Sequence, residues 1–149
     1  MAELPPPRRF RRVFHDSSAY AALLDRRDEN HAAARAIVGA IADADYRPVT
    51  TNVIVIEAYA LILSNMSSEF ARQFLREVQS GNTLIIRVRA RDEQRAQEIL
   101  FRYTDKDWSF ADATSFVVME RLGIRYAFTF DSDFAQYGFT VLTPDLPLP

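Results

Sequence analysis

The chain has 149 residues, 48% of them apolar, which suits one domain with a proper core. Its formal net charge of −2 offers no global basic field to attract a polyanion. It has no cysteine and only two histidines, His15 and His31. That excludes disulfides, thiol catalysis, thiolate metal sites and a zinc site built on several histidines.

Residues 1–12 read as a flexible arm, and residues 13–149 as the folded domain. The arm has prolines and four arginines (Arg8, Arg9, Arg11, Arg12) but no apolar stretch like that of a signal peptide. Those arginines suit either solvation or contact with phosphates. Val13 to Asp16 reads as a short buried strand, and Ser17 and Ser18 as caps for the helix that follows. A second helix starts at Asp28 or Asn30 and runs past Ile41. Pro48 to Thr51 is a second strand, and Asn52 caps an apolar helix reaching about Leu63. A further helix begins at Ser67 or Ser68, with Phe70, Phe74, Leu75 and Val78 on one face. Gly81 and Asn82 turn the chain into a strand over Thr83 to Val88. Helices follow over Asp92 to Tyr103 and Phe110 to Leu122, the latter ended by Gly123. Tyr126 to Phe130 is an apolar strand, Asp131-Ser132-Asp133 a turn, and Phe139 to Leu142 a last strand. Strands alternating with helices predict an α/β domain with a mainly parallel sheet, whose ligands bind off the carboxyl ends of the strands. The longest apolar run, Val53 to Leu63, is too short to span a bilayer, and a cytoplasmic protein is expected.

Four acids stand out. Asp16 ends the first strand, where a turn or cap aspartate is also common. Glu57 is the only charge between Val53 and Leu63. A helix this apolar is expected to be buried on most faces, so Glu57 either takes its one exposed position or needs a cation or a distant arginine. Asp112 lies three residues after Ser109, the spacing of a capping box, which is compatible with metal binding. Asp131 ends the strand Tyr126 to Phe130 and faces Asp16 across neighbouring strand ends, while Asp133 caps the next short helix. Acids gathered this way repel one another and demand a cation. Oxygen ligands without histidine or cysteine select Mg²⁺ or Mn²⁺. Such an ion also supplies the positive charge that this acidic chain lacks for meeting RNA.

Phe14-His15-Asp16-Ser17-Ser18-Ala19-Tyr20 resembles the first motif of PIN-domain proteins, especially VapC-type toxins of bacterial toxin–antitoxin systems. Thr51-Asn52 leading to Glu57 and Leu61 resembles the second. Ser109-Phe110-Ala111-Asp112-Ala113-Thr114-Ser115-Phe116 resembles the third. Thr129-Phe130-Asp131-Ser132-Asp133-Phe134 with Gly138-Phe139 resembles the fourth. The match runs in order from about Val13 to Leu142. It implies a single-domain α/β/α sandwich and a Mg²⁺- or Mn²⁺-dependent endoribonuclease that cleaves RNA with metal-activated water. It implies a catalytic set of Asp16, Glu57, Asp112 and Asp131, with Asp16, Asp112 and Asp131 on the metal. Glu57 would hold a metal-bound water or a second ion, and Ser18, Thr129 and Asp133 would support the site. A small antitoxin is the implied protein partner, and toxins of this kind often form homodimers. A stand-alone RNA-processing nuclease and a non-catalytic RNA- or protein-binding module of the same fold are the alternatives. Arg26, Arg27, Arg87, Arg89 and Arg91 are candidate phosphate contacts that surface solvation explains equally well.

Overall fold

The structure is a computed structural model and describes residues 4–149, so the first three residues of the expected arm lie outside it. Arg8–Phe10 forms a single 3₁₀ turn, and Arg8 pairs with Asp45 at 2.8 Å on the surface. The order is then β1 (Arg12–His15), α1 (Ser17–Leu24), α2 (His31–Asp43), β2 (Arg47–Thr51), α3 (Asn52–Asn65), α4 (Ser68–Ser80) and β3 (Leu84–Ile86). It continues with α5 (Ala90–Arg102), α6 (Phe110–Leu122), β4 (Tyr126–Phe128), α7 (Asp133–Tyr137) and β5 (Thr140–Val141). The five strands pair in the order β3-β2-β1-β4-β5, and every pairing is parallel.

Each face of the sheet has its own core, because neighbouring residues of a strand point to opposite faces. Phe14 of β1 packs with Val49, Ile54, Phe74, Phe116 and Phe134, contributed by β2, α3, α4, α6 and α7. Its neighbour Val13 packs on the other side with Ala34, Ile37, Ile41 and Phe128, where α2 covers the sheet. The expected three-layer α/β/α arrangement is therefore present. The chain moves outward from β1 to β2 and β3, then returns to add β4 and β5 on the other side. The carboxyl ends of β1 and β4 thus flank the switch point where such sheets bind ligands.

Three local expectations are corrected. The apolar helix α3 is not buried on most faces. Ile54, Val55, Ala58 and Ile62 are buried, but Ile56 is 68% and Leu63 45% exposed. Hydropathy shows that a helix is apolar all round, but not that this chain has enough neighbours to cover it. The N-cap of α3 is Thr51, whose hydroxyl accepts from Ile54 N at 3.1 Å, and not Asn52. Asn52 instead accepts a hydrogen bond from Val88 N at 2.7 Å. Ser17 and Ser18 lie inside the first turn of α1, and their hydroxyls are used elsewhere. No helix among the described residues is long and apolar enough to cross a membrane.

Candidate active site

Asp16 leaves β1 one residue after His15, whose partner across the sheet is Phe128. That register sets Asp16 level with Thr129. Thr129 donates to Asp16 Oδ2 at 2.9 Å, and Ser18 donates to the same oxygen at 3.1 Å. Each hydroxyl also accepts from a backbone amide, Thr129 from Asp131 N and Ser18 from Phe130 N, both at 3.0 Å. These bonds account for the early end of β4. The sequence suggested a strand to Phe130, but after Phe128 the chain turns to serve Asp16. Asp16 Oδ1, by contrast, is buried with no partner among the described residues.

Across the switch point, Asp112, Asp131 and Asp133 each offer a carboxylate oxygen, all within 4.8 Å of one another. Asp112 sits in the first turn of α6 within the expected capping box. Its Oδ2 accepts from Ser109 N at 3.2 Å, and its own amide donates to Ser109 Oγ at 3.0 Å. Asp131 Oδ1 accepts from Asp133 N at 3.0 Å. Asp133 opens α7 at its first helical position, and the N-cap is Ser132. Burial pushes the Asp112 carboxyl up to about 7, and the neighbouring Asp133 and Asp16 carboxylates push the same way. Burial and Asp133 likewise raise Asp131, and burial together with Glu57 raises Asp16.

Glu57 is half-buried rather than enclosed, and its Oε1 accepts from Ser17 Oγ at 2.5 Å. The acids thus form one group with two parts, Asp16 and Glu57 on the β1 side and the three aspartates on the β4 side. Sequence reading gave Ser17 only a capping role, and its bond to Glu57 was not foreseen, although it follows Asp16 directly and is the first residue of the next helix.

The residues fit a hard divalent cation. The donors are all carboxylate oxygens, their proton affinities raised first by burial and then by one another, and a cation would offset both. One buried carboxylate oxygen lacks a donor among the described residues, while its twin accepts two hydrogen bonds.

Carboxylates gathered at the switch point of a parallel sheet suit a metal-dependent nuclease, and the chain belongs to the PIN-domain family of nucleases: the PIN domain matches residues 13–140. Within it, the chain is an endoribonuclease of the VapC toxin kind. It is 33% identical over 135 residues to the 23S rRNA-specific endonuclease VapC20 of Mycobacterium tuberculosis, in strains CDC 1551 / Oshkosh and ATCC 25618 / H37Rv. The alignment covers 89% of this chain and 99% of each relative. The crystal structure of Mycobacterium tuberculosis VapC20, described as a sarcin–ricin loop cleaving toxin, matches with a TM-score of 0.83 at 31% identity. That match covers 89% of this chain and 99% of the other.

Proposed function

We propose that this endoribonuclease uses Mg²⁺ or Mn²⁺, held by Asp16, Asp112 and Asp131, to cut a structured loop of large-subunit ribosomal RNA in the cytoplasm. The single observation behind the metal assignment is Asp16 itself, with Oδ2 fixed by two hydroxyls and Oδ1 buried and free. When bound, the ion would activate water for in-line attack and offset charge on the phosphate. The chain's own residues supply the positioning. Thr129 and Ser18 fix the rotamer of Asp16, and the capping box fixes Asp112. Asp133 lies close enough to Asp112 and Asp131 to share the ion's charge. Glu57, held by Ser17, orients the attacking water or takes a second ion. The RNA assignment follows from the 23S rRNA-specific relatives.

The protein partner is a cognate antitoxin, and the exposed apolar stripe Ile56, Ala60 and Leu63 on α3 suits a protein contact, including one between two copies of the chain. Its test is the molar mass in solution, with Ile56→Glu as the variant.

The cleavage test incubates intact ribosomes with wild type or Asp16→Asn in Mn²⁺, Mg²⁺ or EDTA, then maps RNA ends. A discrete cut in the large-subunit RNA, made only by wild type with metal, is the expected result. Cleavage that persists in EDTA or in Asp16→Asn would overturn the metal assignment. A cut elsewhere would overturn the substrate assignment alone.

A further inference from the structure

The carboxylate cluster solves the chemistry but not the approach of the substrate, because the acids themselves repel an RNA backbone. A compensating positive surface is therefore expected close to them. Five arginines stood out in the sequence as candidates, and the fold separates them. Arg26 and Arg27 follow α1, whose eight residues carry the chain about 12 Å from the end that bears Asp16. Arg27 is also engaged, with Asp25 at 3.3 Å. Arg87, Arg89 and Arg91 instead lie at the carboxyl end of the edge strand β3, the same end of the sheet as the acids.

The placement of this connection is built in. Thr51 pairs with Ile86, so the chain leaving β3 runs beside the chain entering α3. Val88 N donates to Asn52 Oδ1 at 2.7 Å, pinning the connection to the start of the helix that carries Glu57. On the far side, Arg89 N donates to Asp92 Oδ2 at 3.1 Å. Asp92 is in turn gripped by Arg121 through both carboxylate oxygens, at 3.0 and 3.1 Å. Two anchors therefore hold three exposed arginines, none of which forms an ion pair with a described residue. With strands about 4.8 Å apart, the end of β3 lies two strand spacings, roughly 10 Å, from the end of β1. That is a reach suited to phosphates neighbouring the scissile one.

We propose that the β3–α5 connection is the substrate-positioning arm of the active site, with Arg87, Arg89 and Arg91 holding backbone phosphates beside the one cut at the acids. This rests on the endoribonuclease reading. The contacts are to backbone only, so they set register and affinity rather than sequence preference. Arginine suits the task because its planar fork meets phosphate oxygens in pairs.

The test follows initial cleavage rates on total cellular RNA, intact ribosomes included, for four proteins. They are wild type, the triple variant Arg87→Ala/Arg89→Ala/Arg91→Ala, the same triple change to Lys, and the control Arg26→Ala/Arg27→Ala. All five sites are exposed, and melting curves verify folding. The alanine variant is expected to raise KM about 10- to 100-fold with kcat nearly unchanged, and to flatten the dependence of log KM on log salt by about 2. The lysine variant recovers the salt dependence and part of the affinity, and the control behaves as wild type. If wild type cuts while the alanine variant keeps its KM and salt slope, the positioning arm is disproved and the nuclease stands. If wild type cuts nothing, the nuclease reading fails and the arm fails with it.

Discussion

Thr129 shows how one side chain serves both the fold and the site. Its hydroxyl donates to Asp16 and accepts from Asp131 N, so it links the carboxyl ends of β1 and β4 through a buried position. Thr129→Val keeps the shape and removes both bonds, leaving a half-buried amide and part of a carboxylate unsatisfied. A stability loss of about 1–3 kcal/mol is expected from those groups. Cleavage should fall about 10- to 100-fold, as when outer partners of metal ligands are lost, because Asp16 gains rotamer freedom. Chemical denaturation and single-turnover cleavage measure the two effects separately. Full activity in Thr129→Val would show that Ser18 alone positions Asp16. Asp16, Asp112 and Asp131 were legible in the sequence because each follows a strand or opens a helix, and Glu57 because it is the only charge between Val53 and Leu63. Their hydroxyl partners were partly legible: Ser18 and Thr129 match motif positions, whereas nothing in the sequence links Ser17 to Glu57, 40 residues away.

Helix boundaries were most legible where the caps are chemically explicit. The limits of α6, Phe110 and Leu122, were readable because Ser109 and Asp112 form a capping box and Gly123 adopts the left-handed conformation at φ 68°. At α3 the signal was weaker: Thr51 and Asn52 are both competent caps, and only the neighbouring β3–α5 connection claims Asn52. The Asp92–Arg121 clamp was invisible, since its partners are 29 residues apart and each resembles an ordinary surface charge. Yet α5 buries only Asp92 and Ala96 completely, so this pair matters to how it docks on α6. The Asp92 side chain is 5% exposed and that of Arg121 31%. Burial raises the proton affinity of Asp92, but the Arg89 amide and the Arg121 guanidinium outweigh it and hold its carboxyl below the usual value. With the folded value depressed, the stabilisation is present above about pH 4 and fades as pH falls through the folded value. Arg121→Ala should cost about 1–3 kcal/mol at neutral pH and less in acid. It should also raise KM for RNA, because Asp92 anchors Arg89. An unchanged KM in a destabilised Arg121→Ala protein would mean that Asn52 alone fixes the arm.

For the molecule as a whole, stability and catalysis draw on the same buried polar groups. Burial lowers His15 from 6.5 to about 3, so between those values the unfolded chain binds more protons and stability rises with pH. Burial and neighbouring carboxylates raise Asp112 from 3.8 to about 7, so the folded chain binds more protons over nearly the same range and stability falls with pH. The two linkages oppose each other across almost one window. Asp16 and Asp131, whose carboxyls are also raised, add to the falling side, so in EDTA the melting midpoint of wild type should fall as pH rises above about 4. A divalent ion competes with the proton on Asp112 and stabilises the folded state by mass action. Saturating Mn²⁺ should therefore raise the midpoint most near pH 7 and lessen its fall with pH. Asp112→Asn removes one falling contribution, so its profile in EDTA should fall less steeply than that of wild type, and Mn²⁺ should add little. If Asp112→Asn in EDTA falls as steeply as wild type, the Asp112 carboxyl is not raised in the folded state, and competition between a divalent ion and its proton would no longer shape the pH profile.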